Sequence, residues 1–208
     1  MATKKKAKRP RKSKAKRKSV TTSARIVALE KQVKALTDVI TVTGGAACRT
    51  VVIKGNLQII NGMGRTDRTN GCGNLIIGYN ELPPASSGWP STRTGSHNLV
   101  IGRYHSHASY AGLLSGEMNL VSAAAPSSAV VGGSEGSANA DRVVVMGGQE
   151  GKGNAARSVV IGGFDNGASA GANLSVCIGG TNNRADASQS TLLGGSGLTT
   201  TTPGERIP

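Results

Sequence analysis

The second glycines of five Gly-Gly pairs fall at Gly133, Gly148, Gly163, Gly180 and Gly195, in steps of 15, 15, 17 and 15 residues. Each pair follows three mostly apolar residues: AVV, VVM, VVI, VCI and TLL. Earlier segments carry the same apolar run with one glycine, as NLIIGYN (74–80), NLVIGRY (98–104) and GLLSGEMN (112–119). Gly102 and Gly116 are 14 residues apart, and 81–95 reads as an insertion. A fixed step of this size is the signature of a solenoid, in which each repeat packs only on its neighbours. Two short strands and two tight turns account for about 15 residues per coil, and turn positions with positive φ favour Gly or Asn. In a strand, alternate residues point to one face. One set then fills the coil, and the other faces a partner or solvent. With strands ~4.8 Å apart, about eight coils would stack to roughly 38 Å. The fold class is therefore an all-β body of ~15-residue repeats over 74–197, with 198–208 left as a C-terminal tail.

Composition agrees with narrow coils. The chain has 30 glycines in 208 residues but only five aromatic residues, so Val, Ile, Leu and Ala must build the interior.

The repeat ARSVVIGGFDNGASAGANLSVCIGG (156–180) resembles the head repeats of YadA-like trimeric autotransporter adhesins, and the resemblance extends over about 74–197. It implies a left-handed parallel β-roll, trimerised side by side and joined to a coiled coil. The chain departs from that pattern. Its candidate coiled coil precedes the roll, and neither a signal peptide nor a C-terminal anchor barrel is evident in the sequence.

Residues 22–43 read as a short coiled-coil helix. Ile26, Leu29, Val33, Leu36 and Ile40 recur at spacings of 3, 4, 3 and 4, an a/d seam marked as the candidate oligomerisation surface. Two heptads are marginal alone and need an attached oligomer. Ile at a with Leu at d leans toward two strands, whereas the head-like repeats imply three. Gly44 and Gly45 should end this segment, and 44–73 reads as a β linker or neck.

The net charge of +14 belongs mostly to the start of the chain. Residues 1–20 hold eleven basic residues and no acid: Lys4, Lys5, Lys6, Lys8, Arg9, Arg11, Lys12, Lys14, Lys16, Arg17 and Lys18. The remainder has fourteen basic and eleven acidic residues, a balance of only +3. With nothing apolar to bury, the segment reads as a disordered basic tail. Its cations suit nucleic acid or another polyanionic surface, without base readout, because no aromatic residue is present to stack.

Candidate chemistry is sparse. His97, His105 and His107 lie within eleven residues and are weak metal candidates; polar loop positions are the simpler reading. Cys48, Cys72 and Cys177 fit no zinc spacing and suit free thiols. The glycine-rich stretches match neither a phosphate loop nor a nucleophile elbow. No cofactor, small-molecule substrate or transmembrane segment is expected, and the default location is the cytoplasm or a particle assembled there. Two functions fit: a non-enzymatic, homotrimeric structural or attachment protein, or a nucleic-acid-associated protein whose tail binds or condenses DNA or RNA.

Overall fold

The computed structural model describes residues 21–45 and 48–208. They fall into two compact units, one ending at Leu57 and the other running Gln58–Pro208.

The first unit holds one helix and one hairpin. Helix α1 spans Thr22–Val39, with the Thr21 side chain accepting from the Ala24 N–H at its N-cap. It ends at Val39, where a run of β-branched residues (Val39, Ile40, Thr41, Val42, Thr43) favours extended backbone. Ile40 therefore leaves the expected seam and opens strand β1 (Ile40–Thr43). Strand β1 pairs antiparallel with β2 (Thr50–Ile53), Ile40 opposite Ile53 and Thr43 opposite Thr50.

The second unit is a parallel β-solenoid. Strands β3 (Leu75–Ile77), β4 (Leu99–Arg103), β6 (Leu113–Glu117), β8 (Ala129–Val131), β10 (Val144–Met146), β12 (Val159–Ile161), β14 (Val176–Ile178), β16 (Thr191–Leu193) and β18 (Arg206–Ile207) stack into a nine-stranded sheet. Two-residue strands β5 (Ser106–His107), β7 (Leu120–Val121), β9 (Ser137–Ala138), β11 (Lys152–Gly153), β13 (Gly167–Ala168), β15 (Arg184–Ala185) and β17 (Thr199–Thr200) form a seven-stranded sheet. Seven coils thus contribute to both sheets. Strands β17 and β18 carry the ladders through 198–208, where the sequence suggested a tail. The Thr-rich segment lacks an apolar triplet, but Thr199, Thr200 and Arg206 take the register positions of Arg184, Ala185 and Thr191.

In the nine-stranded sheet, each strand from β4 to β16 gives the core one residue. Val100, Leu114, Val130, Val145, Val160, Cys177 and Leu192 are the middle residues of successive triplets, mutually in register and all buried. Their flanking residues, such as Val159 and Ile161, lie on the outer face and are partly exposed. No isoleucine belongs to the buried core among the described residues, so the interior expected from Val, Ile, Leu and Ala is built without Ile. It also takes in buried Ser and Asn.

Each coil turns at two corners. Residues 104, 118, 135, 150, 165 and 182 mark one, and residues 97, 111, 127, 142, 157, 174 and 189 the other; all have positive φ and only Asn182 is Gly or Asn. The expectation of Gly or Asn holds at the glycine pairs, such as Gly147 (φ 62) and Gly148 (φ 74), but not at these positions, for a physical reason. The N–H of such residues donates to the preceding coil, as from Glu150 to Ser134 O and from Arg157 to Asp141 O. The ladder holds the backbone in place against a left-handed cost of about 1–2 kcal/mol per residue. Leu174, with φ 62 and a half-exposed side chain, tests this. Leu174→Gly relieves the steric cost while freeing the unfolded chain by about 0.4–1 kcal/mol. Urea unfolding should show stability unchanged or raised by up to about 1 kcal/mol, the opposite of a glycine placed in a strand.

The glycine markers serve the next stretch of the first corner. In β4 and β6 a single glycine does so, Gly102 (φ 112) opposite Gly116 (φ 104). From β8 to β16 a Gly-Gly pair replaces it, and these first-sheet strands are three residues long. The 24-residue step from Leu75 to Leu99 accommodates the insertion, which contains one 3-10 turn (Ala85–Ser87).

Candidate functional site

Four sets of side chains carried functional expectations: the tail, the helix seam, the histidines and the cysteines. The tail residues Lys4, Lys5, Lys6, Lys8, Arg9, Arg11, Lys12, Lys14, Lys16, Arg17 and Lys18 lie outside the described residues.

On α1, the faces expected to pack are uncovered. Ile26, Leu29, Val33 and Leu36 are 49%, 58%, 57% and 60% exposed, and no helix residue is buried. Ile26, Leu29 and Val33 line an open groove with Glu30, Lys34 and Thr37. The hairpin beside them in sequence is equally bare, with Val42, Val51, Val52 and Ile53 exposed. On the solenoid, the outer face of the nine-stranded sheet carries two columns of mostly apolar residues. Leu99, Leu113, Val144, Val159 and Val176 stand in one, and Ile101, Val131, Met146, Ile161 and Ile178 in the other. The two-residue strands present Lys152, Gly167 and Arg184 at their first position. There Asp165 takes Lys152 at 2.7 Å and Arg184 at 3.0 Å, an ion cluster bridging three coils. The hydrogen bond from Lys152, with that from Arg184, holds the Asp165 carboxyl below the usual carboxylate range against opposing burial.

The three histidines do not converge. His97 sits at a corner, its Nδ1 3.1 Å from Thr66 O. His105 occupies an inward column shared with Asn119, Asn166 and Asn183. Those asparagines stitch the coils together. Asn166 Nδ2 donates to Gly162 O, Gly179 O and Gly180 O at 3.0, 2.8 and 3.1 Å, while its Oδ1 accepts from the Asn183 N–H at 3.0 Å. His105 makes the same bonds with a ring. Its Nε2 donates to Ile101 O at 3.0 Å, and its Nδ1 accepts from the Asn119 N–H at 3.2 Å. Both nitrogens are committed to backbone, leaving no lone pair for a metal. Burial pushes its pKa down. His107 is also buried, but neither ring nitrogen has a partner. Among the described residues, no three His, Cys, Asp or Glu side chains group as a metal site.

Cys177 is one rung of the core ladder, and burial pushes its thiol up. Cys48 and Cys72 are exposed, and all three are free thiols. No helix among the described residues is long and apolar enough to cross a membrane.

Sequence reasoning missed Arg93 and the inward polar columns. From the insertion, Arg93 reaches Asn80 O at 2.5 Å, Glu81 O, and His105 O at 3.3 Å, fastening the long loop to the first two-stranded coil. Nothing in an isolated Arg announces that. The Asn column does have a faint signal, an Asn three residues after the second glycine in GGFDN and GGTNN.

No protein-family model matches the chain, and no curated protein or solved structure matches it. The reading of function therefore rests on the sequence and on these surfaces.

Proposed function

We propose that the protein is a non-enzymatic structural or attachment protein, a homotrimeric β-roll fibre or spike anchored through its basic tail to an anionic assembly. The observation that carries this is the bare apolar surface of α1 and of the β1–β2 hairpin. An 18-residue helix and a two-stranded hairpin with no buried residue between them are marginal as a single chain in water. Copies of the chain joined at Ile26, Leu29, Val33 and Leu36 would cover that surface as a short coiled coil. The apolar outer columns of the long sheet offer a second contact between parallel copies. Exposed patches of this kind commonly mark contact surfaces. The resemblance to adhesin head repeats supports three copies and a left-handed roll.

A second reading keeps the assembly and makes nucleic acid the partner. Eleven cations in twenty residues favour it. Such binding would be independent of sequence and would weaken steeply with salt as counterions cease to be released.

Light scattering of the full chain, with and without residues 1–20, tests both. The expected mass of the full-length protein is three times the 21.0 kDa chain, and the truncated chain should likewise be a trimer. Duplex DNA should be held at low salt by the full chain and lost by the truncated one. A monomer overturns the assembly reading. A full-length trimer with no affinity for DNA at low salt overturns the nucleic-acid reading and leaves the first.

A further inference from the structure

We propose that the first complete coil is an acid-labile lock: below neutral pH, charging of His107 expels its imidazole from the interior and releases the insertion at 81–95, while the later coils stay closed.

His107 stands in the inward column of the seven-stranded sheet, where the later coils place Val121, Ala138, Gly153, Ala168, Ala185 and Thr200. Every other member is small or apolar. His107 is 1% exposed, and Nδ1 and Nε2 both lack a hydrogen-bond partner. A neutral imidazole already bears a desolvation cost there, and an imidazolium would have two buried donors and a charge with nothing to receive them.

The surroundings add no compensation. The groups acting on its charge are Arg93, from the insertion, and His105, two residues before it; both are basic. The neighbouring strand β7 sets Val121 in register with it, and the buried residues of β4 and β6 in their central column are Val100 and Leu114. Asn98 and Ser109, buried in the same coil, are polar but uncharged. Burial first, then Arg93 and His105, lower the His107 pKa from 6.5 to about 4.

The sign follows. A base whose folded pKa is depressed binds more protons unfolded than folded. Its neutral form is fully accommodated above about pH 6.5, and stability is lost as pH falls from there through about 4. His105, also lowered, acts in the same direction.

The insertion is what opens, because it is tied to this residue. The His107 N–H donates to Thr92 O at 2.7 Å, the Gly95 N–H donates to His107 O at 3.0 Å, and the Ser106 hydroxyl donates to Thr92 O at 3.0 Å. Arg93 adds its clamp on His105 O. Moving the β5 backbone breaks these bonds together. The coils from β8 onward have no histidine and keep their own ladders.

The chain carries its own reporter. Trp89, its single tryptophan, lies in the insertion with Nε1 buried. Titrating the full chain from pH 7.5 to 4 should shift Trp89 emission to the red, reversibly, while far-UV circular dichroism keeps most of its β signal. In His107→Val, which copies the residue at the next coil, the shift should vanish. His107→Gln, polar but unable to charge, should also abolish it and guards against misfolding of the first variant. His105→Asn, which copies the next rung of its own column, should retain the shift. A wild-type titration without a Trp89 shift overturns the proposal. So does a shift that survives in both His107 variants.

Discussion

Gly148→Ala is expected to cost about 2–5 kcal/mol, whereas Gly147→Ala costs only about 1–2 kcal/mol. The two glycines are adjacent and share positive φ, 62 for Gly147 and 74 for Gly148. Alanine at either site meets the left-handed penalty of about 1–2 kcal/mol. The difference lies in space. A Cβ at Gly147 would have nothing within 4 Å, but one at Gly148 would lie 2.6 Å from Gly163 O and 2.8 Å from Gly162 C. Those are backbone atoms of the next coil, and they cannot rotate away. Overpacking of this kind adds about 1–3 kcal/mol. Coils at Gly133, Gly163 and Gly180 approach the following coil in the same way. Urea midpoints of the two variants measure the gap directly. Equal losses would show that turn conformation, and not coil contact, explains the second glycine.

The second large effect concerns how each coil fills its width. The residue before the triplet and the second residue of the short strand are both buried, and their sizes complement one another. The pairs are Ser128 with Ala138, Ser158 with Ala168, and Ser175 with Ala185. One coil breaks the pattern twice, with Val143 in the serine place and Gly153 in the alanine place. Gly153 lacks positive φ, yet a Cβ there would overlap the Val143 side chain. Another coil inverts the exchange, with Gly112 and Val121. Gly153→Ala should therefore cost about 1–3 kcal/mol by overpacking. Val143→Ser should cost about 1–2 kcal/mol through lost methyl burial. Together they rebuild the Ser–Ala coil of their neighbours, and the double variant should recover most of the loss. The interaction energy expected is about 1–3 kcal/mol, readable as a double-mutant cycle in urea. Additive losses would mean that the two positions do not share one space.

Part of this architecture was legible before any coordinates. The glycine step and the apolar triplets located the nine-stranded sheet, because its inward residues are large enough to leave a pattern. Val145 and Val160 are visible as hydrophobic maxima. The seven-stranded sheet left no such trace. Its strands are two residues long, and inward places such as Gly153 and Ala168 hold nothing that periodicity detects. The corners were hidden for a different reason. Arg142, Arg157 and Leu174 do not favour positive φ, and only bonding from neighbouring coils keeps them there. Of the candidate sites, the seam of α1 was readable apart from Ile40, which the β-branched run draws into a strand. The committed nitrogens of His105 and the orphaned ones of His107 depend on which column each occupies. Two residues of the same type, two positions apart, thus became a structural rung and a buried liability.

Two coil steps are 17 residues long, Leu120 to Ser137 and Gly167 to Arg184. Coil length varies after Val121 and after Ala168, where eight residues instead of six lead to the next first-sheet strand. From β8 onward the corner facing the other way keeps eight residues, as from Ala129 to Ser137 and from Val159 to Gly167, whereas it runs seven from Leu99 to Ser106 and from Leu113 to Leu120. From β8 onward one edge of the stack thus keeps a constant length, and the opposite edge absorbs two-residue insertions without disturbing strand registration; the 81–95 insertion lies on the first edge, between the corner at Asn80 and Thr92, which bonds to His107. Such a scaffold can vary in length at either edge. New loops could be grafted there during evolution or engineering, displayed in a row with one coil spacing between them, while the two parallel ladders preserve the fold.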